Sequence, residues 1–313
     1  YTWGTIGGRT DFYMWKPVFL DYSYNFAVRN FRHGSFGNIT KIDNTRQVKN
    51  SESFFSVAAG MPLAHRGVFL IRANGGHVNY RYDSDELFAD DTDHSRYSFF
   101  GIKAELARNT LDKFLYPRRG SDLKLSGIFV TGRDKYEPFD AEKFLSRTSR
   151  QWVGARLTWD KYFDMPGCSW FSLGLNVDGV ITNHPEFTTE GATVMSMPAY
   201  EPVPHAQMIY MPDFRGKRFA AGGVMPTFDL MPNFFLRTGF YAMFREKRSF
   251  VPGVSGPVED KRWHYIAEAS LVYHTPIGPV SLALTKYDLR NWKNMYLTFN
   301  FGYAIFAPKG TFY

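Results

Sequence analysis

From Leu20 onward the chain returns again and again to strict alternation of apolar and polar residues. A period of two is compatible with little other than β-strand. Leu20, Tyr22, Tyr24, Phe26 and Val28 fall on one face, with Asp21, Ser23, Asn25 and Ala27 on the other. Phe100, Ile102, Ala104 and Leu106 alternate with Gly101, Lys103, Glu105 and Ala107, and Phe171, Leu173, Leu175 and Val177 with Ser172, Gly174, Asn176 and Asp178. The last stretch sets Leu297, Phe299, Phe301, Tyr303 and Ile305 against Thr298, Asn300, Gly302 and Ala304, and ends at Phe306.

Segment length separates the two folds that such alternation allows. Soluble sandwich strands average about 5–6 residues, whereas these segments run about 9–14, the length at which a tilted strand crosses a bilayer. Aromatics gather at segment ends (Tyr80 and Tyr82, Trp159 and Tyr162, Tyr296), where interfacial girdles would lie. Aromatic residues make up 18% of the chain. The mean hydropathy is only −0.32, and no apolar run approaches the roughly 18 residues of a membrane helix. A barrel hides its apolar residues at every second position, so low hydropathy does not count against it. The polar face carries charge on many strands, which suits a wet lumen.

Fourteen segments read as strands: near 2–10, 16–29, 50–62, 66–82, 96–109, 120–132, 149–163, 169–183, 190–199, 218–230, 234–246, 262–274, 278–288 and 295–306. Residues 30–49 stay unassigned. At Gly75-Gly76 the phase slips, Phe69, Ile71 and Ala73 giving way to Val78, Tyr80 and Tyr82, which predicts a bulge or turn. At roughly 20 residues per strand with its connection, residues 1–313 make one all-β domain, a single transmembrane antiparallel barrel of about sixteen strands. "HTPIGPV" (274–280) and "DLMPNFF" (229–235) read as tight periplasmic turns, and "DSDELFADDTDHS" (83–95) and "DKYEPFDAEKFLSRT" (134–148) as long external loops. The chain opens at Tyr1 with no signal segment ahead of it, which reads as a mature or truncated product.

Chemistry-bearing motifs are scarce. Cys168 stands alone, and no Cys/His cluster has metal-ligand spacing. The run Asp83, Asp85, Glu86, Asp90, Asp91 and Asp93 lacks the spacing and glycine of an EF-hand and reads as a solvated loop. "GVSGP" (253–257) lacks the spacing of a nucleophile elbow, and His205 has no Ser or Cys partner. No catalytic residue, metal or cofactor is implied. The net charge of +7 suits nucleic acid, anionic lipid or lipopolysaccharide phosphate. The aromatic and basic residues obey period two, however, which argues against a nucleic-acid platform. The expected partners are outer-membrane lipids, lipopolysaccharide, and other outer-membrane or periplasmic proteins.

One passage breaks the pattern: "HAQMIYMPDFRGKRFAAGG" (205–223), with Phe214, Arg215, Gly216, Lys217 and Arg218 in a row. It resembles the loop signature of the bacterial surface antigen superfamily, outer-membrane barrels that insert or translocate proteins. "NTLDKFLYPRRGSDLKLSG" (109–127) is similar to that family's Asn-Thr…Pro-x-x-Gly turn. "YHTPIGPVSLALTKYD…YLTFNFGYAIF" is similar to its last three strands, with Phe299, Phe301, Gly302, Tyr303 and Phe306 as the terminal-strand signal. The likeness covers most of residues 96–313. It implies that the basic passage lies in a long external loop folded into the lumen, between the eleventh and twelfth of sixteen strands, with five strands following. "MPAYEPVPHAQMIYMPDFRGKRFAAGG" resembles more narrowly the C-terminal barrel of Bacteroidetes-type patatin-like phospholipases, which carry a Ser/Asp hydrolase domain absent from this chain.

An inward loop needs an anchor. Arg215 offers a planar fork of donors suited to a carboxylate on the lumen wall, and Gly216 lets the backbone approach that wall. The family's aromatic-x-Asp-x-Gly strand is altered here: its nearest counterpart, "FYAMF" (240–244), has Ala242 in place of the Asp. By parity Glu268 points inward, and it is the expected partner of Arg215, with Asp178 and Glu105 as further lumen carboxylates. The competing reading is a solvated basic loop. For function the sequence suggests the membrane-anchor or translocator barrel of a patatin-like protein. The alternatives are a protein insertion or secretion barrel, or accessory subunit of an outer-membrane complex, and a passive porin.

Overall fold

The computed structural model describes residues 2–13, 17–32, 47–83, 92–137, 146–165, 167–188, 190–203, 206, 211–246, 262–287, 295–302 and 309–312. Thirteen strands form one sheet in chain order, each antiparallel to its neighbours. They are β1 (Thr2–Tyr13), β2 (Pro17–Arg32), β3 (Gln47–Leu63), β4 (Gly67–Asp83), β5 (Thr92–Asn109), β6 (Gly120–Glu137), β7 (Ser146–Met165), β8 (Cys168–Thr182), β9 (Arg218–Met231), β10 (Phe234–Arg245), β11 (Trp263–Thr275), β12 (Gly278–Tyr287) and β13 (Met295–Phe301). None of the described helices is long and apolar enough to cross a membrane.

The sheet is rolled, as its cross-contacts require. The connection between β8 and β9 touches Tyr80 on β4 and, through Phe214, Tyr287 on β12, eight strands further along. The turn between β5 and β6 reaches across to β12, where the Tyr116 hydroxyl and Ser281 Oγ lie 2.9 Å apart. Both contacts need a sheet curled around them. Because every pair is antiparallel and the count is odd, β1 and β13 run in the same direction, and no pairing joins them among the described residues.

Alternation resolves into an outside and an inside. Phe100, Ile102 and Leu106, Leu125 and Phe129, Val153 and Leu157, and Leu282 and Leu284 all project from the outer surface. An apolar band of this extent suits a hydrocarbon surround. Glu268, Asp178 and Glu105 lie on inward positions.

Two expectations are corrected. Residues 190–199 are not a strand: Glu190–Ser196 is a short helix, α1, inside the barrel. Its run of small and apolar residues is buried by the walls on every side, and burial on all sides removes the alternation requirement. Gly75-Gly76 is neither bulge nor turn. β4 keeps one register with both neighbours throughout, Gly75 facing Phe55 and Phe100. The apolar residues change face instead: Phe69 and Ile71 project outward, while Val78 and Tyr80 are buried inside. The phase slip marks the height at which the lumen fills. Thirteen strands lie among the described residues, eight of them before the basic passage. Five follow it, as expected.

A charge on the outer face tests the assignment. Ile102→Arg is expected to destabilise the barrel in vesicles by about 2–4 kcal/mol if the site is near the bilayer midplane, read from denaturant unfolding. A loss under about 0.5 kcal/mol would place the site outside hydrocarbon.

Candidate functional site

The interior is a folded loop packed against the wall. Its neck is closed where the Thr182 amide donates to the Lys217 carbonyl at 3.0 Å. From there the chain enters a cage of rings. Phe187 meets Tyr97 edge-on at 5.1 Å and Tyr80 at 6.4 Å, and His184 lies 4.6 Å from Trp152. Tyr80, Tyr97, Trp152 and Phe187 join Met195, Tyr200, Met211 and Phe214 of the loop and Met225, Tyr241, Ile266 and Tyr287 of the far wall in one apolar cluster. The lumen at this height is filled by apolar side chains, where the charged faces of the strands led to the expectation of a wet interior.

Polar groups bolt the loop to the wall. Asp134 on β6 accepts from the Thr188 amide and hydroxyl at 3.1 and 3.0 Å. Arg156 on β7 grips Asp178 with two bonds, at 3.0 and 2.6 Å, and donates to the Ala199 carbonyl at 3.1 Å. The Tyr200 hydroxyl donates to Asn176 Oδ1 at 2.7 Å.

Arg215 takes a different partner from any expected. It is buried, and its Nη1 donates to the carbonyls of Met195 and Met197 at 2.9 and 3.2 Å. These belong to the last turn of α1 and the residue after it, where orphan carbonyls attract a cation. Its Nη2 lies 3.9 Å from Glu201, and Glu201 is held more closely by Lys309 Nζ, at 3.0 and 3.1 Å. The arginine therefore staples the loop to itself instead of tying it to the wall. Glu268 does face inward as parity requires, but it accepts from Ser270 at 2.5 Å. Asp178 is occupied by Arg156, and Glu105 pairs with Lys103.

The remaining motif residues are placed as follows. Phe214 packs edge-on against His264 and Tyr287 at 5.6 and 6.2 Å. A Cβ on Gly216 would lie 3.5 Å from Arg245 Cβ, an ordinary contact, so the approach to the wall is close without demanding glycine. Lys217 pairs with Glu186 at 3.3 Å near the neck. Phe299 and Phe301 project outward, while Tyr303 and Phe306, like the acidic run over 84–91, His205 and 253–257, lie outside the described residues. No group of metal-ligating side chains occurs among the described residues.

The opposite end of the lumen is also obstructed. The 110–119 turn joins β5 to β6, the place the motif implies, and inserts Tyr116 beside Phe235 at 6.2 Å and beneath Arg237 at 5.5 Å. Arg118 of the same turn pairs with Asp229 on β9. Glu201, Lys309 and Tyr116 escaped sequence reasoning. Glu201 sits inside the quoted "MPAYEPVPH" passage without any feature marking it as a partner, and Lys309 is 108 positions away from it.

No protein-family model and no curated protein sequence matches the chain. Among solved structures the fold is similar to BamA from Haemophilus ducreyi lacking POTRA domains 1–3. The TM-score is 0.58 at 12% identity, covering 94% of this chain and 60% of that one. CdiB from Acinetobacter baumannii is matched at a TM-score of 0.41 and 9% identity, over 91% of this chain and 55% of that one. This chain thus spans about 60% of the length of the first. At these identities the likeness to BamA establishes the fold alone.

Two loop groups make insertion sensitive to acid. Burial against Trp152 and Phe187 pushes the His184 imidazole down to about 3 from its ordinary 6.5. A released loop binds that proton more readily, so seating loses stability as pH falls from about 6.5 toward 3, by at most about 1.4 kcal/mol per pH unit. Burial opposes ionisation of Glu201, yet Lys309 and Arg215 hold its carboxyl below the usual 4.5. Its contribution is complete above that value and is lost as pH falls through the lower folded value. Protection of the 183–217 amides, taken relative to their intrinsic exchange rate at each pH, is therefore expected to be lower at pH 4.5 than at pH 7.5, with His184→Phe removing most of the difference. An unchanged dependence in that variant would exclude His184 as its source.

Proposed function

We propose that this chain is the membrane barrel of an outer-membrane protein that inserts or secretes other proteins, its lumen held shut by the 183–217 loop. The observation that carries this reading is the loop itself, a buried, self-stapled element bonded to β6, β7 and β8 and packed against the far wall. A passive pore has no use for a hydrophobic core in its channel. The resemblance of three motifs to the bacterial surface antigen superfamily, and the BamA-like fold, support the same reading. The outward apolar band supports placement in a bacterial outer membrane with lipid, including lipopolysaccharide, around it. The tight turns would face the periplasm, where further protein partners would dock.

A second reading concerns what the barrel serves. The passage 197–223, which overlaps the plug, is the part most similar to the patatin-like branch. On that reading this chain anchors or translocates a lipid hydrolase carried elsewhere in the protein, and the barrel itself is not an enzyme.

Planar-bilayer recording with purified protein tests the plug, and vesicle assays test the activity. The intact barrel is expected to be nearly silent, and replacing residues 186–212 by a short Gly/Ser linker to produce large, steady conductance. Vesicles carrying the intact barrel are expected to fold an added unfolded outer-membrane protein several-fold faster than empty vesicles. Steady conductance from the intact barrel would favour a porin, and no acceleration would remove the insertion reading. Intact mass from the native membrane tests the second reading. A mass well above 36.1 kDa, with a Gly-x-Ser-x-Gly peptide, would support it, and one near that value would count against it.

A further inference from the structure

The last described residues do not trail from the sheet. β13 stops at Phe301, and Gly302 adopts φ +78° with its amide donating to the Pro279 carbonyl at 2.8 Å. That left-handed conformation favours glycine and ends the strand. Residues 309–312 lie inside the barrel, on the inner wall of strands near the other edge of the sheet. The Gly310 amide donates to Glu52 Oε2 on β3 at 3.0 Å, and its carbonyl accepts from Asn74 Nδ2 on β4 at 2.9 Å.

Both contacts read main-chain atoms of a single residue. Glu52 is itself fixed by a buried pair with Arg29 on β2. The fit demands glycine: a Cβ at 310 would come within 2.6 Å of the Phe99 ring and 2.9 Å of the Phe54 ring. Phe312 lies over Gly101 on β5, where an added Cβ would approach its ring to 2.9 Å. Thr311 is buried. On the other side Lys309 supplies the nearer of the two cations on Glu201 of the loop.

We propose that Lys309–Phe312 is an internal strap. Seated in a backbone-reading site on the inner wall of β3–β5, it ties the 183–217 loop to that wall through Lys309 and Glu201. The loop's other polar contacts go to β6, β7, β8 and β10 and its contacts with β4 and β5 are aromatic, whereas the strap adds hydrogen bonds to β3 and β4. A strap that is unseated leaves Glu201 buried with Arg215 at 3.9 Å, and a buried carboxylate short of partners favours opening. The strap concerns how the lumen is closed and stands whether or not the barrel conveys protein.

The test uses the whole chain with Cys168→Ser, reconstituted in vesicles, with folding verified by heat-modifiable gel mobility. Thr311→Cys is expected to be protected from a membrane-impermeant maleimide. Gly310→Val is expected to speed that labelling about tenfold or more by populating the unseated state, and to raise proteinase K cleavage within 183–217. Lys309→Gln removes the link to Glu201 without filling the seat. It is expected to raise loop cleavage while Thr311→Cys stays protected, and it keeps the test open if Gly310→Val does not fold. Three results would overturn the proposal: Thr311→Cys labelling in the parent as fast as Lys113→Cys on an exposed turn, loop cleavage unchanged when Gly310→Val frees the tail, or loop cleavage unchanged in Lys309→Gln. None of these readouts uses a client protein, so they are independent of the insertion assay.

Discussion

Everything inside this barrel is organised by the apolar cluster that the wall and the loop build together. A sheet whose outer face is already apolar can leave its inner face wet or cover it with protein. Where Val78, Tyr80, Tyr97, Trp152 and Met225 point inward, wetting them would forfeit about 1.5–3 kcal/mol for each large side chain. Phe187, Met195, Tyr200 and Phe214 cover them instead. The loop is therefore a structural component of the barrel, and moving it would expose both its own apolar side chains and those of the wall.

The polar bonds give that cluster its address. Asp134, Arg156 and Asn176 each bind a loop group on a different strand, and a buried donor or acceptor left unmatched is costly. Arg215 plays an internal part: it closes the end of α1, a helix of only seven residues that has little stability of its own. A loop stapled in this way can keep its shape while its attachments to the wall are exchanged. This is the property a gate needs, and it places the basic motif at the centre of the plug's own fold. The opposite end is closed by a much smaller device, the Tyr116 turn, whose ring lies against Arg237. Arg237 in turn reaches Met225 of the main cluster, so the two obstructions are physically continuous.

Alternation and segment length together made an all-β barrel and most of its outward-facing residues legible, and the basic passage stood out because it breaks that alternation. Inward placement of Glu268, Asp178 and Glu105 was legible for the same reason, since a period of two is a local property of backbone geometry. Four things only the tertiary structure decided. Residues 190–196 became a helix because they are enclosed on all sides. The phase slip in β4 became a change of face, because apolar residues follow whichever side is dry. Arg215 found backbone carbonyls and Glu201, and Glu201 found Lys309, because partners inside a closed lumen are chosen by proximity across the barrel. Separation along the chain carries no record of that proximity, and so the residues that lock the plug could not be read from their own neighbourhoods.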